Sequence, residues 1–528
     1  MRRSGTTAIR SHSRKSVAPL AGPGISRDRR EPVPGEEWRG STRNRRRPLI
    51  VASNRLPVQS DGEGGQRPAD GGLVRALEPL ADRIELWVGS WPADEPLLDA
   101  PETASPELRP VPISPDLADG FYEGYANRCL WPWLHEDRLR VEHRPDWLWA
   151  YQEVNRRFAR TLALASPRHS LVWIHDYHLL LVPGALRTLR PDLRIGFFLH
   201  TPFPGQIGTL PPEELQALGR GVAGADVIGF QTPADAEGFG RLVHPGLSAP
   251  GVRETRWGAG GPRLVSLPAS IDSARFEAVA ADPAVQARAA ELKAAAGGRR
   301  IVLGVDRLDY TKAIPARLAA YERLLDSGLV DPDEVYFVQV AVPSRSGIPS
   351  YAAEAADVEH VAGRIDYRFG RPHSDPAGPR PAVGLHTEAL PVHELVAHYL
   401  AADVLVATPR RDGMNLVAKE YCAARIDGGG VLVLSEGAGA AREMASAVLA
   451  AEATPVAVAH AVHRALRLPP HGAAARMRRL RHQVKQADAG AWAAGFLRLL
   501  EVEGDGGGHR STTAARGLPL AAGQRSER

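Results

Sequence analysis

Apolar residues along the chain fall into two rhythms. Short runs, nearly continuous in Val, Ile, Leu and Phe, predict strands at 49–53, 171–174, 195–199, 226–230 and 264–267, and again at 301–305, 336–341, 404–407 and 431–434. Between them apolar residues recur at helical spacing. After the turn at Gly413, for instance, Met414, Val417, Ala418 and Tyr421 form one stripe, and Glu420 falls off it. Continuous apolar strands separated by helices predict parallel sheets covered on both faces. The Ala-rich stretch 274–298 separates two such sets. The expected class is therefore α/β, with one doubly wound, Rossmann-like domain over 48–270 and another over 271–485. A C-terminal helix is expected over 486–503, and ligands in a cleft at the carboxyl ends of the strands.

Composition narrows the classes. At 528 residues the chain fits two or three domains, and 44% hydrophobic with 24% charged residues is that of a soluble globular protein. No apolar run reaches the ~18 residues of a spanning helix, so no membrane partner is expected. Cys129 and Cys422 are the only cysteines, which excludes a disulfide framework or cysteine metal site and suits a reducing cytoplasm. The pI near 9.1 suggests nucleic acid at first sight. The basicity belongs, however, to residues 1–47, which carry a net +9 and leave −5 for the rest. That segment has few large apolar residues and is expected to be a disordered tail, dispensable for catalysis, as is the loose stretch 504–528. No nucleic-acid partner is expected, and self-association is left open.

Polar residues cluster where the strands end. Arg55 follows the first strand, with Gly71-Gly72 on a later loop; WIHDYH (173–178) ends another strand with His175, Asp176 and His178; His200 ends the next. The i, i+3 histidines with one Asp are not a zinc pattern. Arg307 and Lys312 end a strand together, a bidentate fork and a point charge suited to a diphosphate, and Arg345 ends the following one. TPRRDGMNL (408–416) joins a strand to a helix N-terminus, which suits an anion; an ordinary turn with solvated charges is the plain alternative. Six such ends in one chain favour a polar cleft. Asp331-Pro-Asp333 has the spacing of a metal-binding carboxylate pair but precedes a strand, at the end away from the cleft. No G-x-G-x-x-G joins a strand to a helix, which argues against a nicotinamide oxidoreductase.

The motifs SNRLP (53–57), LWP (130–132), WIHDYHLL (173–180), FFLHTPFP (197–204), GFQT (229–232), RLDYTK (307–312) and RDGMNLVAKE (411–420) resemble, in this order, those of trehalose-6-phosphate synthases. The resemblance implies two Rossmann-like domains facing across a cleft (GT-B type). It also implies retaining transfer of glucose from UDP- or GDP-glucose to glucose 6-phosphate, with no metal or other cofactor. In the front-face route such enzymes are thought to use, the departing diphosphate oxygen takes the acceptor proton, so no nucleophilic side chain is needed. By the same resemblance Arg307 and Lys312 would hold the donor diphosphate. The backbone at Gly72, Gly413, Met414, Asn415 and Leu416 would face the donor, Asp412 its glucose hydroxyls and Glu420 the ribose. His200 would contact the donor glucose and Asp176 the acceptor sugar. Arg55, Tyr122 and Arg345 would grip the acceptor phosphate beside Trp91 and Trp131. Arg410 and Arg411 would either add potential or pair with nearby carboxylates.

Three positions depart from the family pattern. Ala313 stands where Gly is usual, as does Ala269 or Ser270, and an Ala fits such a position only at negative φ. WVGSWP (87–92) has an extra residue, Ser90, so either Trp91 or Trp87 can be the wall; Trp91 is assigned. The alternatives are a glucosyltransferase using another phosphorylated acceptor, such as glycerol 3-phosphate, and a non-catalytic sugar-phosphate sensor.

Overall fold

The computed structural model describes residues 46–60, 66–69, 71–95, 106–206, 208–243, 254–256, 261–372, 378 and 380–502. The two expected tails, apart from Arg46 and Arg47, lie outside these residues, as does the end of the C-terminal helix expected at 503.

Two sheets form the frame. In the first, strands lie in the order Glu107–Ile113, Ile84–Pro92, Leu49–Arg55, Leu171–His175, Arg194–Phe198, Val227–Phe230, Arg263–Ser266 and Glu254–Arg256. All neighbours pair parallel except the last, which is antiparallel. The second sheet is wholly parallel, in the order Val383–His386, Val335–Val342, Arg300–Arg307, Val404–Ala407, Val431–Ser435 and Val448–Ala450. Central strands are buried on both faces: Leu49 to Ala52, Leu171 to Ile174 and Leu432 to Leu434 are fully covered. That is the physical reason their sequences read as unbroken apolar runs.

The strands absent from the apolar pattern are those with broken patterns. Glu107–Ile113 alternates polar and apolar residues and carries Pro110 and Pro112, which an edge strand tolerates because one side needs no ladder donor. Val383–His386 and Val448–Ala450 are edge strands of four and three residues.

Two further elements shape the cleft. Asp119–Leu130 winds as a π-helix, a rare conformation that is frequent at functional sites, and leads into the short helix Trp131–Leu134. The C-terminal helix Ala489–Glu501 returns to the first sheet. Its Phe496 ring stacks on Trp173, centroids 4.5 Å apart, and Trp492 meets Phe198 edge to face at 5.1 Å. Among the described residues no helix is long and apolar enough to cross a membrane.

Candidate active site

The carboxyl ends of the first sheet gather one half of the expected residues. Arg55 ends the strand Leu49–Arg55, and its guanidinium lies 5.0 Å from the centre of the Tyr122 ring. Both line a cavity of about 490 Å³ with Ser90, Trp91 and Glu123. Ser90 pairs with Arg55 across the strands and bonds the Asn54 carbonyl through its hydroxyl. Trp87 is held in the core, its Nε1 donating to Ser53 Oγ at 2.8 Å. Of the two candidate tryptophans, Trp91 therefore reaches the cavity and Trp87 does not.

Trp131 lies away from that lining, beneath Arg345, whose guanidinium sits 4.0 Å from its ring centre. Arg345 is almost wholly buried and its charge is answered on several sides. Nη2 donates to Tyr177 Oη at 3.1 Å, Nη1 bonds Tyr351 Oη, and Asp309 Oδ2 lies 3.4 Å away. Arg345 and Arg55 converge on Tyr122. Burial would raise that phenol, but Arg345, Arg55 and Arg307 together bring it below its ordinary value. Three cations around one phenol make a strong anion-attracting field.

Asp309 was not assigned a role from sequence. Fully buried, it accepts from Thr311 N and Oγ1 at 3.0 and 2.9 Å, capping the turn that presents Lys312, while its other oxygen faces Arg345. An Asp two residues before a Thr at a turn start is a capping signal, so this role was legible.

The histidines form a pair. His175 Nδ1 lies 3.1 Å from His200 Nε2. Burial holds His200 at about 3, and burial together with His200 holds His175 well below the usual histidine range, so both rings are neutral. One proton is then shared between the facing nitrogens. His175 Nε2 is buried without a partner, and an unpaired acceptor is less costly than an unpaired N–H. The network thus assigns the proton to His175 Nδ1, with His200 accepting at Nε2 and protonated at Nδ1. Asp176 adopts φ 73°, and its Oδ1 accepts from His200 N at 3.2 Å. Burial pushes its carboxyl up to about 6 despite bonds from the Tyr177 and His200 backbones.

The second sheet supplies the opposite wall. Arg307 ends its strand with an exposed side chain. Lys312 Nζ bonds Asp412 Oδ2 at 2.5 Å, and Asn415 Nδ2 reaches the same oxygen at 3.2 Å. Asn415, at φ 75°, also caps the helix Leu416–Ala424 by accepting from Ala418 N at 3.1 Å. Met414 is buried behind it. Glu420 Oε2 accepts from Tyr399 Oη at 2.9 Å and lines a small pocket with Gly72 and Leu416, one from each half of the chain. Gly413 is pressed on the first half: a Cβ there would stand 2.0 Å from the His200 carbonyl oxygen. Arg411 is committed to pairing, bonding Glu136 and donating to the Phe203 carbonyl at 2.5 Å.

The departures resolve differently. Ala269 and Ser270 are not among the residues of positive φ, and Ala269 donates its N–H to Gln231 Oε1 at 2.8 Å, so Ala is accommodated. Ala313 takes φ 53°, ψ 41°, the left-handed region that costs an L-residue roughly 1 kcal/mol. Negative φ, the condition for an Ala to fit without strain, is not met there. Asp331-Pro-Asp333 lies before the strand Val335–Val342, and Asp333 pairs with Arg371 at 2.8 Å and with Arg380.

The model of "Glycosyltransferase family 20" matches residues 47–502. A curated trehalose-6-phosphate synthase from Mycolicibacterium gilvum is 40% identical over 475 residues, covering 86% of this chain and 93% of its own. An E. coli structure bound with UDP-2-fluoro glucose superposes with a TM-score of 0.76 at 29% identity, over 86% of this chain and 98% of the other. An α,α-trehalose-phosphate synthase (UDP-forming) from Burkholderia xenovorans, in complex with glucose-6-phosphate, gives 0.75 at 30%, over 86% and 100%. With its two Rossmann-like sheets and a family match that spans both walls of the cleft, this chain belongs to glycosyltransferase family 20.

Proposed function

We propose that the chain transfers glucose from a nucleotide-glucose, UDP- or GDP-glucose, to glucose 6-phosphate with retention, forming α,α-trehalose 6-phosphate and a nucleoside diphosphate. The observation that carries this reading is the convergence of Arg55, Arg345 and Tyr122 in a chain of this family. That cluster offers charge-assisted bonds to an acceptor phosphate, beside an aromatic wall for a sugar ring. Opposite it, Arg307 and Lys312 take the donor diphosphate, and the Gly413–Leu416 backbone and Asp412 take the transferred glucose. Glu420 takes the ribose, with Gly72 facing it. His200 meets the donor glucose as a hydrogen-bond donor, and Asp176 the acceptor.

In the step itself, the bond from the glucose anomeric carbon to the diphosphate breaks. The departing oxygen takes the proton of the acceptor hydroxyl, and the new glycosidic bond forms on the same face. The protein contributes positioning and stabilises the charge that grows on the leaving group. Paired Lys312 and Asp412 favour this over a sensor, which needs no leaving-group cation. A polyol phosphate such as glycerol 3-phosphate is the second acceptor to test. Two buried free cysteines suit a cytoplasmic enzyme; the reading needs no nucleic acid or membrane and is compatible with a homo-oligomer.

The deciding experiment incubates purified protein with glucose 6-phosphate and UDP-, GDP- or ADP-glucose in turn, in EDTA. Trehalose 6-phosphate should form without added metal. Turnover abolished by EDTA and restored by magnesium or manganese would refute metal independence, and product only with glycerol 3-phosphate would overturn the acceptor.

A further inference from the structure

The second sheet carries another cavity, of about 600 Å³, at the end of its strands away from the cleft. Arg299 stands there just before the strand Arg300–Arg307, so roughly 25 Å of strand separates it from Arg307. Among the described residues, three guanidinium groups line the cavity, those of Arg299, Arg371 and Arg380, with the carboxylate of Asp333. Asp333 is already bonded by Arg371 at 2.8 Å and paired with Arg380.

Arg299 is only 7% exposed. Its Nε donates to the Ala296 carbonyl at 2.8 Å and its Nη1 to the Pro381 carbonyl at 2.7 Å, while its plane lies 4.5 Å from the Tyr336 ring centre. Arg380 Nε is buried without a partner among the described residues. Burial and the two neighbouring arginines hold Arg299 below its ordinary value, as expected of cations gathered without enough opposing charge. Positive charge gathered around one buried arginine favours an anion that completes it. Beside these cations Ile301, Tyr336 and Val338 offer an apolar wall.

We propose that this cavity binds a small organic phosphate ester, its phosphate facing the three arginines and its organic part against Tyr336 and Val338. Among the described lining residues, three arginines against Asp333 leave a positive excess of the sign that a phosphate monoester, roughly −1.5 to −2 at neutral pH, would answer. The site shares no lining residue with the cleft cavity, so its ligand would occupy it apart from the substrates.

Hydrogen exchange of the full chain, read by mass spectrometry, locates binding without relying on turnover. Glucose 6-phosphate, AMP and inorganic phosphate are titrated separately. The expected result is slowed exchange at 292–301 and 332–338 with one of the two esters, distinct from any slowing at the cleft segments 53–57 and 307–312. In the variant Arg371→Gln/Arg380→Gln the half-saturation of that response should rise at least about tenfold, with the cleft response unchanged; Arg371→Lys should largely retain it. If the double variant loses the cleft response through misfolding, Arg371→Gln alone, at a side chain 35% exposed, carries the comparison. No slowing with either ester, an equal response to inorganic phosphate, or an unchanged half-saturation in a folded variant would each overturn the assignment.

Discussion

At the scale of single residues, the two walls of the cleft predict different kinetic consequences for two arginines. Arg55→Ala should leave binding of a free nucleoside diphosphate near wild type and raise the glucose 6-phosphate requirement at least tenfold, or ~1.4 kcal/mol. Arg307→Ala should weaken nucleoside diphosphate binding directly, since charge-assisted bonds contribute ~1.5–3 kcal/mol. Because Arg307 also acts on Tyr122, it should raise the acceptor requirement too, by less than Arg55→Ala does. Calorimetry with the diphosphate, beside kinetics in each substrate, checks this; equal losses of nucleotide binding in both variants would refute the division. Asp176 gives a pH test. Its folded carboxyl titrates near 6 against an ordinary 3.8, so the folded chain holds more protons between about pH 4 and 6. Stability should fall as pH rises through that window. Asp176→Asn does not titrate, so its melting temperature relative to wild type should climb from pH 4 to pH 6.5. Parallel curves would show that Asp176 is not the group responsible. The types of these residues were legible in sequence because each follows a strand. Their partners were not: Asp309, Tyr177 and Tyr351 hold Arg345 from three separate segments, and spacing carries no information about such contacts.

Among the elements, the turn that carries Lys312 is strained at one position. Ala313 sits at φ 53° while its carbonyl accepts from Arg317 N at 3.1 Å, so the turn cannot relax without disturbing the helix Ile314–Asp326. Arg317 in turn is fully buried, bonding Asp306 Oδ2 at 2.6 Å and the Lys312 carbonyl at 3.3 Å. The strain is therefore borne by a network that also fixes Lys312. Ala313→Gly should relieve it and stabilise the protein by about 0.5–1 kcal/mol, after allowing for the greater freedom of Gly in the unfolded chain. A urea midpoint raised at unchanged slope is the expected reading; a lowered midpoint would mean the left-handed conformation costs Ala nothing here. Sequence pattern succeeded for central strands such as Leu171–His175, whose two buried faces demand apolar residues throughout. It failed for Glu107–Ile113, where an exposed edge admits Pro and charge, and for Ile84–Pro92, where Glu85, Gly89 and Ser90 interrupt the apolar run.

For the whole molecule, two sheets and the cleft between them follow from the alternation of apolar strands and helices, but what fastens the halves does not. The C-terminal helix Ala489–Glu501 packs on the first sheet although it follows the second in sequence. Buried Lys419 donates to the Ala269 carbonyl at 2.7 Å and pairs with Glu443 at 2.5 Å. Nearest the site, Glu136 accepts from Gly205 N at 2.7 Å with one oxygen and bonds Arg411 with the other. Arg411 is the neighbour of Asp412, so this pair ties the donor-facing turn to the acceptor wall. It should therefore set how the two walls meet, an effect visible in catalysis before stability. Glu136→Gln and Arg411→Gln should each lower kcat/KM, and the double variant should lose less than their sum, with a coupling of about 0.5–1 kcal/mol, appropriate to a pair about a quarter to a third exposed. Raising ionic strength should weaken wild type more than the double variant, because only wild type has the pair to screen. Losses that add to within ~0.3 kcal/mol would show that the two residues act independently, and that the meeting of the walls rests on other contacts, such as Lys419 to the Ala269 carbonyl and Gly413 against His200.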